Sequence, residues 1–290
     1  MLVRIIVINI AVFVIMAIVA VGAVLFNATP DLMSRWVQLP GDLVLLARRP
    51  WTLLTYMFAH YDLLHILFNM LWLYWLGRIF MEFFSPKQLV GLYLLGGWGG
   101  ALLFLVATQV LPYFTSQPHV FYLLGASASV IAIVVATAVY APDYKIGLLF
   151  LGEVSIKWIA IVTVLISILS LDGGGNVGGN IAHIGGALVG MWFALSIKRG
   201  TDITRPLNAL IDGIVGMFNG RFFKVPRFAK PSDSSRRQDS ASSDSSRVND
   251  NAVSEAELDN ILKKIKAAGY DALSEEERGK LFKASQRRTP

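Results

Sequence analysis

The chain has 290 residues, 54% of them hydrophobic and only 16% charged, a balance that excludes an ordinary soluble domain of this length. It contains no cysteine, which excludes disulfides, thiolate metal sites and a cysteine nucleophile. The net charge of +6 gathers around and after the last apolar run, where it bears on membrane orientation and makes no nucleic-acid footprint.

Six apolar runs meet or approach the roughly 20 residues with which a helix crosses about 30 Å of hydrocarbon: 5–26, 53–79, 89–110, 121–140, 156–171 and 181–197. The expected fold is therefore all-α, a polytopic six-helix transmembrane bundle. Arg4 before the first run is also compatible with a signal peptide, but the run is too long for a typical signal core and reads as a retained helix. Arg4, Arg78 with Lys87, Lys145 with Lys157, and Lys198 with Arg199 fall at alternate ends of the spans. The excess of Lys and Arg places those ends, and both termini, in the cytoplasm. The long first loop runs against this bias with Arg35, Arg48 and Arg49, offset by Asp31 and Asp42.

Residues 1–200 thus form the membrane domain. A basic stretch at 201–230 carries Arg205, Arg221, Lys224, Arg227 and Lys230 around an apolar segment, and reads as a helix lying on the inner membrane face. Residues 231–253 are rich in Ser and Asp and too poor in apolar surface to fold, hence a linker. In 254–286, an apolar stripe at Leu258, Ile261, Leu262 and Ile265 ends at Gly269, and Ser274 with Glu277 makes a capping box for a second helix. This cytoplasmic tail carries a small helical hairpin that needs a cytoplasmic partner or the membrane for stability.

Polar side chains inside spanning runs are costly and functional by default. Ser127, in Gly125-Ala126-Ser127-Ala128-Ser129, and His183, in Ala182-His183-Ile184-Gly185-Gly186, are such residues, and a serine with a histidine is the minimum of an activated nucleophile. Ser127 is expected about six residues below Phe121, roughly 9 Å into its helix, with His183 about a turn into its own. Small residues at four-residue spacing, Ala128, Ala132 and Ala136 in one helix and Ala182, Gly186 and Gly190 in the other, let two backbones approach closely in lipid. The second run adds His60, His65 and Asn69, the last two sharing one helical face. An imidazole and an amide there can act as donors to a developing oxyanion, although His65 and Asn69 would lie deeper than Ser127 if that helix began at Leu53. Ser129 points away from Ser127 and is expected to pack or bond back to the helix. His119, in a loop, reads as a solvated bystander. Gly173 to Gly178 formally matches a dinucleotide pattern but joins two membrane helices, so it is not read as one. No cofactor is expected. No metal is expected either, since Asp62 and His65 make a thin ligand set.

The His60, His65 and Asn69 spacing, the Gly-x-Ser ending at Ser127 and the Ala-His-x-x-Gly of Ala182 to Gly186 together resemble the rhomboid intramembrane serine proteases of bacterial type, over about 53–197. The resemblance implies a six-helix core in the bacterial cytoplasmic (inner) membrane. It implies Ser127 as nucleophile and His183 as base and then acid, without a third acidic residue. His65, Asn69 and the Ser127 amide would hold the oxyanion, with Gly125 and His60 in support. The implied partners are the lipid bilayer and transmembrane segments of other proteins, entering past the second and fifth helices beneath a mobile cap at 172–180. Three positions depart from the family pattern: Ala128 follows the serine where glycine is usual, Ile131 stands where some bacterial members carry an aromatic, and Thr52 follows Trp51 in place of arginine. They motivate an alternative in which the chain is a weak or inactive rhomboid-like binder of membrane proteins. A transporter is disfavoured because the polar groups gather towards one face.

Overall fold

The structure, a computed structural model, describes residues 1–29, 32–148, 152–172, 175–218, 260–261, 264–265 and 273–286. It divides into two compact units, 1–227 and 228–290.

The first unit is a helical bundle. Among the described residues, four helices are long and apolar enough to cross a membrane: α1 (Leu2–Leu25), α5 (Leu63–Phe83), α6 (Pro86–Val110) and α10 (Val177–Lys198). Two apolar helices are shorter, α8 (Ser127–Tyr140) and α9 (Ile156–Leu169). At about 1.5 Å per residue, the 14 residues of α8 reach only two thirds of the hydrocarbon thickness. That length suffices because α8 is enclosed: every residue from Ala128 to Ala138 is buried, so its upper end opens into protein rather than lipid.

The runs at 53–79 and 121–140 are not continuous helices. In the first, the helix α4 (Thr52–Thr55) and a 3₁₀ turn (Tyr56–Phe58) precede a break, and α5 starts only at Leu63. Asp62 sets that start by accepting from the His65 amide at 2.7 Å, an N-cap contact. In the second, Tyr122–Leu123 is a strand, β2, paired antiparallel with β1 (Leu39–Pro40), and helix begins at Ser127. Apolarity was correctly read in both places, but an extended apolar segment carries the same hydropathy as a helical one.

The outer loop between α1 and α4 carries α2 (Leu32–Val37) and α3 (Leu43–Arg48). It is anchored by stacked Trp36 and Trp51 rings 5.8 Å apart, with the Arg49 guanidinium 4.6 Å from the Trp36 centroid. Arg49 therefore supplies a cation to this aromatic pair. Thr52 is fully buried and donates to the Arg49 carbonyl. At the opposite end lie β3 (Lys145–Leu148) and β4 (Gly152–Ser155), an antiparallel hairpin. Lys145, Lys157 and Lys198 all sit here, bonded to Glu153, Asp143 and the Val139 carbonyl.

Helices α6, α8 and α10 form the centre through small residues. A Cβ built on Gly186 would lie 2.1 Å from the Ala128 carbonyl oxygen, and one on Gly190 2.2 Å from that of Ala132. The small-residue stripes of α8 and α10 thus meet backbone to backbone. Gly96 and Gly100 of α6 face Ala132 and Ala128, a third stripe in the same contact. Without a hydrophobic force between helices in lipid, such close van der Waals packing is the main cohesion available.

Helix α11 (Arg205–Phe218) packs its start against α6, where Thr204 closes on Gly91 and Lys87 pairs with Asp212 at 2.6 Å. Leu210, Ile214, Val215 and Met217 remain exposed, an apolar face suited to the membrane surface. The rest of the basic stretch, from 219 to 230, and the linker at 231–253 lie outside the described residues. In the second unit, Glu275–Gln286 is helical. Ser274 and Glu277 exchange capping-box bonds of 2.8 and 3.3 Å, and Glu277 also pairs with Lys264 at 2.9 Å. Most of the first helix expected at 254–267 lies outside the described residues.

Gly186→Ala is expected to destabilise the bundle by about 1–3 kcal/mol through overpacking. Gly213→Ala, whose added methyl meets open space, should stay within about 0.5 kcal/mol of the parent. Equilibrium unfolding in mixed micelles measures both.

Candidate active site

Ser127 is the first residue of α8, with Ala126 as N-cap; the expected 9 Å of helix above it is extended chain. The first backbone bond into the helix is Val130 N–H to the Ala126 carbonyl. The amides of Ser127 and its two successors are therefore the helix's orphan donors, and they lie at its positive dipole end.

The residues just before Ser127 are fixed from several sides. Gly41 N–H donates to the Phe121 carbonyl, and Gly125 N–H to the Tyr56 carbonyl at 2.9 Å. The Ala126 amide donates to His60 Nε2 over a long 3.4 Å. Buried His60 therefore holds the serine loop, with its ring edge-on to His65 at 5.0 Å. Gly125 has φ +115°, and a Cβ there would come within 3.0 Å of the His65 ring. Only glycine combines that backbone angle with that approach.

His183 lies within α10, whose N-cap Asn176 accepts from the Gly179 amide. Its Nε2 is 2.7 Å from Ser127 Oγ, within the range needed for a nucleophile and its base. The other ring nitrogen, Nδ1, is 3.1 Å from Ser167 Oγ on α9. Ser167 was not singled out from sequence, because serine in an apolar helix ordinarily bonds back to its own helix. A usable signal was present: Thr163 and Ser167 stand four apart on a helix otherwise apolar from Trp158 to Leu169.

His65 and Asn69 occupy the first two turns of α5. Because α5 starts at Leu63, the depth mismatch expected for a helix from Leu53 does not arise. Together with Ser127 they line a recess of about 310 Å³, shared with Trp72, Ile131 and Thr163. Asn69 directs its amide to the His65 carbonyl at 2.9 Å, so one of its two N–H donors is spent on its own helix in this structure. Ser129 is buried, packed near Gly96, and its hydroxyl has no hydrogen-bond partner among the described residues. His119 lies against Phe121, ring centroids 4.5 Å apart and planes tilted by 45°, away from Ser127 and His183. A second apolar cavity of about 340 Å³ lies between α5 and α9. It is lined by Trp72, Trp75, Trp158, Thr163 and Ile166 among others, and shares Trp72 and Thr163 with the recess. The loop expected to cap the site at 172–180 is shorter than that, since α10 begins at Val177; residues 173–174 lie outside the described residues.

The Rhomboid domain family matches residues 47–200, more than half of the sequence. The chain belongs to the rhomboid family. This rhomboid is 32% identical over 158 residues to RHOMBOID-like protein 12, mitochondrial, of Arabidopsis thaliana, covering 51% of this chain and 47% of that protein. It is 30% identical over 142 residues to Presenilin-associated rhomboid-like protein A, mitochondrial, of Danio rerio, covering 47% and 34%. The match spans about half of the first relative and a third of the second.

The expected bacterial cytoplasmic membrane is corrected by these relatives, both of which carry mitochondrial names; the multi-pass membrane character stands. The sequence reading went astray for a physical reason. The resemblance reports a fold and a site, and the Lys and Arg bias reports which helix ends share a side of the bilayer; neither says which bilayer it is, so the cytoplasmic placement of the termini falls with the bacterial one.

Asp62→Ala, which removes the acceptor for the His65 amide, is expected to cost about 1 kcal/mol of stability. Asp62→Asn should recover most of it. Parallel unfolding curves of the two variants in detergent would reveal the difference.

Proposed function

We propose that this rhomboid is a serine endopeptidase that cleaves transmembrane segments of other membrane proteins within the bilayer. The observation carrying the reading is the 2.7 Å approach of Ser127 Oγ to His183 Nε2 at a recess that Ser127 lines. The Ser127 hydroxyl gives its proton to Nε2 as Oγ adds to the scissile carbonyl carbon. The resulting oxyanion is held by the orphan amide at the start of α8, with His65 and, once its side chain turns, Asn69. The His183 imidazolium then protonates the leaving amine. Water, deprotonated by the same nitrogen, hydrolyses the acyl-enzyme to a carboxylate and free serine. The cavity between α5 and α9 supports lateral entry of substrate, because its lining runs into that of the recess.

A second reading, a rhomboid-like binder that does not cleave, is favoured by the commitment of the Asn69 amide to the His65 carbonyl, and by Ala128, Ile131 and Thr52. A binder has no chemical need of the dyad. A serine-reactive phosphonate separates the two, since only an active dyad gives an adduct that disappears in His183→Ala. The names of both relatives favour a mitochondrial membrane; recovery of the tagged chain from another membrane would overturn that placement.

With the protein reconstituted in liposomes beside a helix-destabilised transmembrane substrate, Ser127→Ala and His183→Ala should each reduce cleavage about 10³-fold or more. Cleavage by Ser127→Ala at the parent rate would end the protease reading.

A further inference from the structure

We infer that Ser167 is a positioning residue of the dyad, a hydroxyl that fixes the tautomer of His183 so that Nε2 is free to take the proton of Ser127. The inference rests on the serine-protease reading for its kinetic consequence, but its structural content is independent of it.

The assignment follows from counting donors and acceptors along one chain of contacts. Ser167 Oγ lies 3.1 Å from the Thr163 carbonyl oxygen and 3.1 Å from His183 Nδ1. A carbonyl oxygen can only accept, and a serine hydroxyl has a single proton to give. With that proton on the Thr163 carbonyl, the Ser167 oxygen meets Nδ1 with lone pairs alone, so Nδ1 carries the ring proton. In a neutral imidazole the other nitrogen is then an acceptor, and it is Nε2 that faces Ser127 Oγ at 2.7 Å. Thr163 Oγ1 in turn donates to the Ile159 carbonyl at 2.7 Å, so it does not compete for the ring. Ser167 is 4% exposed, which leaves water little access to replace it.

In serine hydrolases the group on the far side of the histidine holds the productive tautomer and steadies the imidazolium that forms. A neutral hydroxyl can do the first as well as a carboxylate, and the second only weakly. Its removal should therefore cost far less than the loss of the nucleophile, and the loss should fall on turnover. With Nδ1 unheld, the ring can carry its proton on Nε2, where it cannot accept from Ser127.

The test pairs 15N spectroscopy of the His183 ring with kinetics, on the full chain in lipid. The parent should show Nδ1 protonated and Nε2 bare. Ser167→Ala should raise the Nε2-protonated fraction and lower kcat about five- to tenfold, with KM within about twofold. Ser167→Cys, which keeps the volume but accepts weakly, should move the same way. Ser167→Thr, which restores the oxygen, should return both tautomer and kcat. A purely structural serine would leave the tautomer in place. A parent ring protonated on Nε2, or a Ser167→Ala protein with unchanged tautomer and kcat, would overturn the inference. A parent with the expected ring but no cleavage would count against the protease reading and leave the Ser167 contact standing.

Discussion

The structure turns on one requirement: extended backbone must be satisfied at a depth where little water reaches it. An unpaired amide or carbonyl in an apolar surrounding costs several kcal/mol, so irregular chain at membrane depth persists only when protein supplies its partners. The segment running into Ser127 meets this by borrowing from the outer loop. Leu39 and Pro40 pair with Leu123 and Tyr122, Gly41 binds the Phe121 carbonyl, the Tyr56 carbonyl receives Gly125, and His60 receives Ala126. The pairing stops at the point where α8 begins. The first amides left without a helical partner are those of the serine and its neighbours, beside the recess.

This arrangement requires α8 to be short and central, and small residues make that possible. Gly186 and Gly190 of α10 rest on the carbonyls of Ala128 and Ala132, one and five residues beyond Ser127. The same contact that holds the bundle together therefore sets the distance from serine to histidine. Further out, polar groups replace small ones. Fully buried Asn9 on α1 donates to Tyr93, whose hydroxyl donates to the Met57 carbonyl at 2.9 Å. Helix α1 lies outside the stretch matched by the family, yet this chain ties it to the turn just ahead of His60.

Which polar residues come together was legible in the sequence, while where the helices begin was not. Ser127, His183, His65 and Asn69 stood out because polar side chains are rare in apolar runs; the structure lines one recess with Ser127, His65 and Asn69 and sets His183 against Ser127. The starts of α5 and α8 were missed because hydropathy averages over helix and strand alike: Phe121 to Leu124 is as apolar extended as coiled. Asp62, an N-cap residue three before His65, and Gly125, a turn residue two before Ser127, were the local signals that punctuated those runs. Reading them as boundaries would have put His65 in the first turn of its helix. Ser167 was passed over for another reason: its partner lies sixteen residues away on the next helix, and the one local signal, its four-residue spacing from Thr163 on an otherwise apolar helix, does not name that partner.

That contact gives α9 a place unlike that of the other helices. Its outer side, with Trp158, Ile161, Leu165 and Leu169, is exposed and suited to lipid, while an apolar cavity separates it from α5. What it turns inward is mixed: Ile156 and Ala160 are buried in the apolar core, Thr163 faces the recess and Ser167 meets His183, and the Ser170 carbonyl at its end receives Asn180 of α10 at 2.9 Å. The histidine is thus gripped between the core on one side, where backbones touch, and α9 on the other, which adds a hydrogen bond to its ring. Distance to Ser127 is a property of the first contact and ring orientation of the second. A displacement of α9 would therefore alter the orientation while leaving the distance alone.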